Sequence, residues 1–308
     1  MIALGFDTSN YTTSVAAFDG ETGANCSRLL DVRPGELGLR QSDALFSHVK
    51  RLPELAAQLF GSVDARQIAA IGVSTRPRAV EGSYMPCFLA GESQARVLAA
   101  ALGVPVYAFS HQQGHIAAAC WSAERMDLLE RPHLAWHLSG GTTELLLVEP
   151  EGLELNARRI GGTTDLSAGQ LIDRTGQMLR LDFPAGKALD RLSEQSDSED
   201  LFRVRVDACE FSLSGVQNKL RDYFNKTGDP AATARYCLRS VIHAVRKATK
   251  QALAEYPGLP VVFSGGVSSN SLLRRACPEA VFCPPQYSTD NAMGVAVLAW
   301  RREDAHGA

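Results

Sequence analysis

The chain has 308 residues and a mass of 33.2 kDa, and its 45% hydrophobic and 21% charged residues are typical of a folded protein, which excludes a disordered or fibrous chain. Its formal net charge of -3 gives no electrostatic case for unaided nucleic-acid binding, so any polyanion would need a local patch or a partner. The seven cysteines are scattered, which predicts reduced thiols. The N-terminus lacks the basic region of a signal peptide, and the sequence lacks a membrane-spanning apolar run. Together these features predict a cytoplasmic protein with no membrane partner.

Two similar pairs of strands are predicted along the chain. Residues 2–23 predict a strand, a hydroxyl-rich turn and a second strand, and residues 133–152 repeat this design around Ser-Gly-Gly-Thr-Thr. Copies of one hairpin about 130 residues apart predict a duplicated α/β protein of two lobes rather than a solenoid, whose period would be far shorter. We place the N-terminal lobe at 1–108 and the C-terminal lobe at 109–289, with a last helix at 290–303 packing back on the first lobe.

Helical segments separate these strands. Residues 89–102 are rich in helix formers and stop at Gly103, and residues 231–254 carry a stripe of apolar side chains with helical spacing. The acidic stretch 193–200 predicts a surface loop. A further strand and small-residue turn are predicted within 260–275, and a helix begins there near residue 269 or 270.

Turns rich in glycine and hydroxyl groups occur three times, at 8–14, 139–143 and 264–270. Such turns let backbone N–H groups approach phosphate oxygens, because glycine has no Cβ to block them. Together the three turns predict a nucleotide in a cleft between two lobes, although each by itself is equally consistent with an ordinary tight turn. Neither a Walker loop nor a dinucleotide-binding fingerprint occurs in the sequence.

Two histidines follow a predicted strand. If Ser110 caps a helix, His111 and His115 lie on the same helical face and can share a metal ion, although capping or packing is an alternative role. A zinc protease would have glutamate where Gln112 stands, and an amide cannot take a proton from water, which disfavours hydrolysis. Asp290 is the best third ligand by type, or else a helix cap, and the set would suit iron, zinc, manganese or magnesium.

Three aspartates are further candidates for contacts with a substrate. Asp173 lies in an apolar helical context, where it either accepts a hydrogen bond from a ribose or substrate hydroxyl or pairs with a surface arginine. Asp7 and Asp165 are the obvious candidates for a catalytic aspartate if the chain is a sugar or acid kinase.

The order of the motifs resembles the TsaD family nearly from end to end, through DTS, H-x-x-x-H, LSGGTTEL, AGQLIDRTG with FPAGKAL, FSLSG, FSGGVSSN and STDNA. These proteins are tRNA adenosine threonylcarbamoyltransferases, once called sialoglycoprotein endopeptidases. The resemblance implies an actin-like, Hsp70-like ATPase (ASKHA) fold of two lobes with duplicated βαβ-type domains. It also implies transfer of a threonylcarbamoyl group from its adenylate to N6 of an adenosine in tRNA, with a smaller TsaB-like paralogue and a TsaE-like ATPase as partners.

The resemblance also assigns roles to individual residues. One divalent metal ion, iron or zinc before magnesium or manganese, would be held by His111, His115 and Asp290. The phosphate end of an adenine nucleotide or acyl-adenylate would be lined by Ser139, Gly140, Gly141 and Thr142, and its nucleoside or acyl part by Asp173, Gly186 and Asn270. A further phosphate turn would contain Thr8, Ser9 and Thr12.

Several positions depart from the family pattern. The acidic pair of the first turn is replaced by Tyr11 and Thr12, a histidine by Thr142, and an aspartate and a glutamate of the DDAAGEAFD block by Leu166 and Gln170. The family's GPG loop appears as TRPRAVEGSYMP, which is longer and carries Arg76 and Arg78 beside Pro77. These changes spare the metal ligands but remove negative charge, and they predict a divergent paralogue. Its alternatives are a carbamoyl-type transferase with another acceptor, a kinase of the same fold, or a non-catalytic nucleotide-binding scaffold.

Overall fold

The computed structural model describes residues 1–9, 11–31, 39–289 and 291–307. The chain forms two compact units. The first contains Met1–Arg131, Pro150–Asn156 and Asp290–Ala308, and the second contains Pro132–Glu149 and Ala157–Thr289.

The secondary structure is mixed. The strands are β1 (Ile2–Asp7), β2 (Thr12–Phe18), β3 (Gly23–Leu29), β4 (Ile68–Arg76), β5 (Val106–Ser110), β6 (His133–Leu138), β7 (Thr143–Glu151), β8 (Glu154–Thr163), β9 (Val206–Asp207), β10 (Glu210–Phe211), β11 (Val261–Ser264) and β12 (Val281–Phe282). The helices are α1 (Gln41–Phe60), α2 (Phe88–Leu102), α3 (His111–Ser122), α4 (Ala168–Met178), α5 (Gly186–Ser193), α6 (Ser214–Thr227), α7 (Pro230–Glu255), α8 (Ser271–Ala276), α9 (Pro285–Ser288) and α10 (Met293–Gly307).

The first unit is built on a five-stranded sheet of order β3-β2-β1-β4-β5. Strands β1, β2 and β3 are antiparallel neighbours, whereas β4 and β5 run parallel to β1. Helices α1 and α2 pack on this sheet, as does α10. Because helices cover both faces of the sheet, β2 is buried along its whole length. For the same reason, the parallel strands are apolar on both faces and do not alternate between apolar and polar residues.

Helix α10 lies against the first sheet and against α3 at distances that only glycine permits. A Cβ on Gly72 of β4 would be 2.1 Å from the carbonyl oxygen of Val295, and a Cβ on Gly294 would be 1.8 Å from that of Gly114. The contact between α3 and α10 explains why residues 109–131 belong to the first unit. The boundary therefore differs from the sequence-based division at residue 108.

The second unit repeats the sheet order of the first. Its seven strands run β12-β11-β6-β7-β8-β10-β9, so β8, β7, β6, β11 and β12 occupy the places of β3, β2, β1, β4 and β5. Strand β6 is antiparallel to β7 and parallel to β11, as β1 is to β2 and β4. The core contains the stacked rings of Trp136 and Phe263 together with the apolar stripe of α7. Within the described residues, none of the helices has the length and apolar character needed to cross a membrane.

Candidate functional site

The carboxyl ends of three parallel strands bring polar side chains together in the first unit. Asp7 ends β1, Ser74 lies near the end of β4, and His111 follows the last residue of β5. The Oδ2 atom of Asp7 accepts a hydrogen bond from the Ser74 hydroxyl at 2.7 Å and lies 2.7 Å from Nδ1 of His111. The side chain of Asp7 is 1% exposed, so its carboxyl group lies buried between these two partners. Ligands of open α/β sheets bind at this edge.

The helix that carries the two histidines begins as its sequence predicts. The Ser110 hydroxyl accepts a hydrogen bond from the N–H of Gln113, whose side chain reaches back to the N–H of Ser110 in a capping box. The rings of His111 and His115 are 4.3 Å apart between centroids and nearly perpendicular. His115 is buried, whereas the side chain of His111 is 18% exposed. The pair therefore presents two imidazoles at one place.

The predicted third metal ligand, Asp290, lies outside the described residues. Within the parts of the chain that are described, no group of three histidine, cysteine, aspartate or glutamate side chains is close enough to hold a metal ion. The metal triad of His111, His115 and Asp290 stays a prediction.

The three residues of the predicted first phosphate turn have different environments. The Thr8 hydroxyl donates to the carbonyl of Cys87 and accepts from the N–H of Gly91, so it anchors the start of α2. Thr12 begins β2, where its N–H donates to the carbonyl of Ser9. The Ser9 hydroxyl is buried without a hydrogen-bond partner among the described residues. Of these three residues, Ser9 has the side chain best able to receive a ligand.

The glycine turn of the second unit joins β6 to β7. The N–H of Ser139 donates to the carbonyl of Thr142, and the N–H of Thr142 donates back to the Ser139 hydroxyl. The intervening Gly140 and Gly141 are exposed, with open space where a Cβ would lie. The start of α4 touches the turn so closely that a Cβ on Gly169 would be 2.5 Å from the carbonyl oxygen of Ser139. Such an open, rigid turn can present N–H groups to an anion.

Asp173 connects α4 to the loop before α5. Its Oδ1 atom accepts a hydrogen bond from the N–H of Ala185 at 2.9 Å, immediately before Gly186 begins α5. Burial raises the pKa of Asp173 above its usual value, and the hydrogen bond from Ala185 opposes this effect. Asp173 therefore fixes the position of Gly186.

Asn270 is held by Asp190, which is not among the site residues predicted from the sequence. Asn270 caps α8 by accepting from the N–H of Leu273, and its amide donates to Oδ1 of Asp190 at 2.7 Å. The N–H and hydroxyl of Ser271 also donate to the Asp190 carboxylate. Asp190 directly follows the FPAGKAL sequence and lies one helical turn after Gly186 on α5, and this helical spacing was the available signal for it.

Asp190→Ala is expected to lower the free energy of unfolding by about 1–3 kcal/mol, since it leaves the donors of Asn270 and Ser271 without their acceptor. Urea unfolding followed by circular dichroism measures the loss. Asp182→Ala is the matched control, because Asp182 is exposed in the loop that precedes α5. Equal stability of the two variants would contradict the role assigned to Asp190.

Asp165 has a structural role in the second unit. Its carboxylate accepts hydrogen bonds from the Ser212 hydroxyl and the N–H groups of Leu213 and Ser214, so it caps α6 from another part of the chain. Burial opposes ionisation, but the hydrogen bonds, led by Ser212 and Ser214, hold the pKa of Asp165 well below its usual value. A carboxylate so fully hydrogen-bonded is a poor proton acceptor for a kinase, and Asp7 is similarly engaged.

A family model described as tRNA N6-adenosine threonylcarbamoyltransferase, TsaD, matches residues 38–297. The chain belongs to this family. The threonylcarbamoyltransferase of Streptococcus pneumoniae strain Hungary19A-6 is 31% identical, over 99% of this chain and 94% of that protein. That of Streptococcus thermophilus strain ATCC BAA-491 / LMD-9 is 32% identical over 76% of this chain and 71% of that protein. The expected family is confirmed, and membership makes the chain a transferase of this general reaction class.

Solved structures of other proteins share the fold. Full-length HypF in its phosphate- and nucleotide-bound form matches with a TM-score of 0.63 and 14% identity, over 100% of this chain and 47% of that chain. The ROK hexokinase of Thermus thermophilus matches with a TM-score of 0.54 and 14% identity, over 99% of this chain and 100% of that chain. At such low identity these matches show only the fold, and the predicted actin-like fold is confirmed.

The departures from the TsaD pattern have identifiable places in the second unit. Leu166 is 7% exposed in the core, where the family's aspartate would be a buried charge. Gln170 is exposed on the first turn of α4. Thr142 closes the glycine turn through its backbone rather than its hydroxyl.

The extended loop that replaces the GPG sequence lies beside the histidine helix. The N–H of Gln112 donates to the carbonyl of Pro77, and Arg76 pairs with Ser110 in the sheet. Farther along the loop, the side chains of Val80 and Tyr84 are exposed. The loop therefore lies next to the first turn of α3, where His111 stands.

Proposed function

We propose that this protein transfers a threonylcarbamoyl group from threonylcarbamoyl-adenylate to N6 of an adenosine in tRNA, using a divalent metal ion. The observation that carries the proposal is the histidine pair of α3, with His111 backed by buried Asp7 at the carboxyl edge of the sheet, in a chain of the TsaD family. In the reaction the adenosine amine attacks the carbamoyl carbon, the carbon–oxygen bond to phosphate breaks, AMP leaves and N6 loses a proton.

The chemistry of the donors suits a metal. A carboxylate only accepts hydrogen bonds, so Nδ1 of His111 carries the proton shared with Asp7, which leaves Nε2 with a lone pair for a ligand. His111, His115 and Asp290 would hold the ion, and two imidazoles with one carboxylate favour iron or zinc over magnesium. When bound, the metal would supply positive charge as a Lewis acid.

In the second unit, we assign the adenylate to the connected cluster around the glycine turn. The N–H groups of Gly140 and Gly141 would face its phosphate, because these residues are exposed and lack side chains. Gly186 and Asn270, fixed by Asp173 and Asp190, would contact its nucleoside or acyl part. No residue is assigned as a general base, since a mixed anhydride of this kind is already activated.

A protein partner is part of the proposal. On α1, the exposed side chains of Phe46 and Val49 are one turn apart, and on α2 those of Leu89 and Val97 are two turns apart. Helices α1 and α2 pack against each other, and exposed apolar side chains on neighbouring helices are typical of protein contacts. We assign these side chains to a contact with the smaller paralogue, with the ATPase as a further partner.

Reconstitution tests the proposed function. The protein is combined with both partners, threonylcarbamoyl-adenylate labelled in threonine, and an unmodified tRNA transcript. We expect label in the RNA, and none when the acceptor adenosine is replaced by guanosine. Unlabelled RNA in the presence of an active control enzyme would exclude tRNA as the acceptor. Label on a different acceptor would then favour the carbamoyl-type alternative, which the altered loop beside His111 supports.

A further inference from the structure

One side of α7 in the second unit is strongly basic. The helix has 26 residues, among them five lysines and arginines and, at its last position, one glutamate. Arg246, Lys247 and Lys250 follow His243 at helical spacing, so they lie on a common side that the apolar stripe does not use. All three are exposed.

A neighbouring extended segment adds two arginines to this side. Residues 202–206 are fastened to α7 at both ends, through the N–H of Phe202 to the Ser240 hydroxyl and the amide of Gln251 to the carbonyl of Val206. Val204 and Val206 are 2% and 5% exposed, so alternate residues point into the core. Arg203 and Arg205 consequently point outward. We call Arg203, Arg205, Arg246, Lys247 and Lys250 the basic face.

The charges of the basic face are not compensated by the protein. None of its five cations forms an ion pair with another residue in the described ranges, whereas nearby Arg239 pairs with Glu199 at 2.6 Å. Burial and the charges of Lys247, Arg203 and Arg246 lower the pKa of His243, which is the expected effect of uncompensated positive charge. Two acidic residues lie close by in the sequence, Asp207 just after residues 202–206 and Glu255 at the end of α7, and neither pairs with these cations. Uncompensated charge on a chain of net charge -3 favours a polyanionic partner.

The composition of the surface limits the class of partner. None of the large hydrophobic side chains found exposed in the described residues belongs to α7 or to residues 202–206. A membrane-inserting surface or a protein-binding hot spot would need such side chains. Lysine and arginine without apolar neighbours are typical of contacts with nucleic-acid phosphates.

The basic face and the glycine turn lie toward opposite ends of the parallel strands β6 and β11. Only residues 256–260 connect α7 to β11, so the C-terminal end of α7 lies at the amino end of that strand. The glycine turn at 139–142 follows the carboxyl end of β6, which is parallel to β11. A ligand that reaches both must extend across the sheet, which a nucleotide cannot do and a folded RNA can.

We propose that the basic face binds the phosphate backbone of the RNA substrate at a distance from the acceptor adenosine. The inference rests on the proposed function for the identity of the RNA, and it adds the surface by which this protein holds it. Binding of this kind would supply affinity and orientation, but no base recognition.

The test compares two triple variants of the full-length protein that remove equal charge. Arg246→Gln, Lys247→Gln and Lys250→Gln change the basic face, and Lys219→Gln, Arg221→Gln and Lys226→Gln change exposed positions on α6 of the same unit. Fluorescence anisotropy with a labelled tRNA transcript gives Kd over a series of salt concentrations. We expect the first variant to raise Kd by about 10-fold or more and to reduce the salt slope by about two. The α6 variant should have a Kd and a salt slope close to those of the unmodified protein.

The outcomes separate this inference from the proposed function. In the transfer assay, the basic-face variant should raise KM for tRNA while kcat is kept. Efficient transfer by the unmodified protein, with Kd and KM unaffected by the substitutions, would overturn the basic face and leave the function intact. If RNA binding depended on the basic face but no transfer occurred, the proposed role of the basic face would be supported and the proposed function would be overturned. Displacement of tRNA by polyglutamate as readily as by unlabelled tRNA would assign the face to an acidic protein instead.

Discussion

Replacing His115 with alanine is expected to lower threonylcarbamoyl transfer by about 100-fold or more and to reduce the amount of metal bound per chain. His115 is buried, its ring is 4.3 Å from that of His111, and loss of one imidazole would leave the proposed ion with too few ligands. Even residues that only orient metal ligands typically contribute 10- to 100-fold, so a ligand itself should contribute at least that much. Mass spectrometry of the purified protein measures metal content independently of activity.

A matched histidine controls for nonspecific damage. His306 lies at the far end of α10, where it stacks on Tyr107, and His306→Ala should keep both metal and transfer. Thermal unfolding of both variants shows whether either has lost its fold. If His115→Ala kept the metal of the unmodified protein, the histidine pair would have a packing role, the alternative that the sequence left open.

Gly294→Ala is expected to destabilise the protein by about 3 kcal/mol, at the upper end of the usual effect of overpacking. The added methyl group would be 1.8 Å from the carbonyl oxygen of Gly114 and 2.9 Å from the backbone nitrogen of Ala118, so neither neighbour can yield by moving a side chain alone. Helix α3 would have to move away from α10. Since α3 carries the histidine pair, transfer should fall together with the melting temperature.

A second glycine on α10 gives the control. A Cβ on Gly307, at the other end of the helix, would meet no atom within 4 Å, so Gly307→Ala should be neutral or slightly stabilising. Urea unfolding of the two variants measures the difference. Similar stability would mean that α3 and α10 approach less closely in solution, and the explanation for the boundary of the first unit would then fail.

Local signals in the sequence predicted most of the secondary structure that supports the site. Ser110 caps α3 as expected because capping depends on neighbouring residues, and the apolar spacing within 231–254 marks α7 for the same reason. The repeated hairpin predicted a duplicated architecture, and the two sheets share one strand order. These features are visible without knowledge of distant parts of the chain.

Contacts between distant segments could not be predicted in the same way. Asp190 joins α5 to Asn270 across 80 residues, and one aspartate in a helical segment does not identify its acceptor role. The assignment of α3 to the first unit depends on the close approach of Gly114 and Gly294, which no local pattern encodes. The basic face depends on how residues 202–206 lie along α7, so net charge alone concealed it.

The path of the chain between the two units has a consequence for truncated forms. The first unit contains three separate pieces of sequence, and the last of them supplies α10, which packs on β1 and β4. A premature stop codon after residue 289 would therefore unfold the beginning of the protein, although its own sequence is intact. Conversely, residues 1–131 synthesised on a ribosome lack the helix that covers one face of their sheet until the final residues emerge.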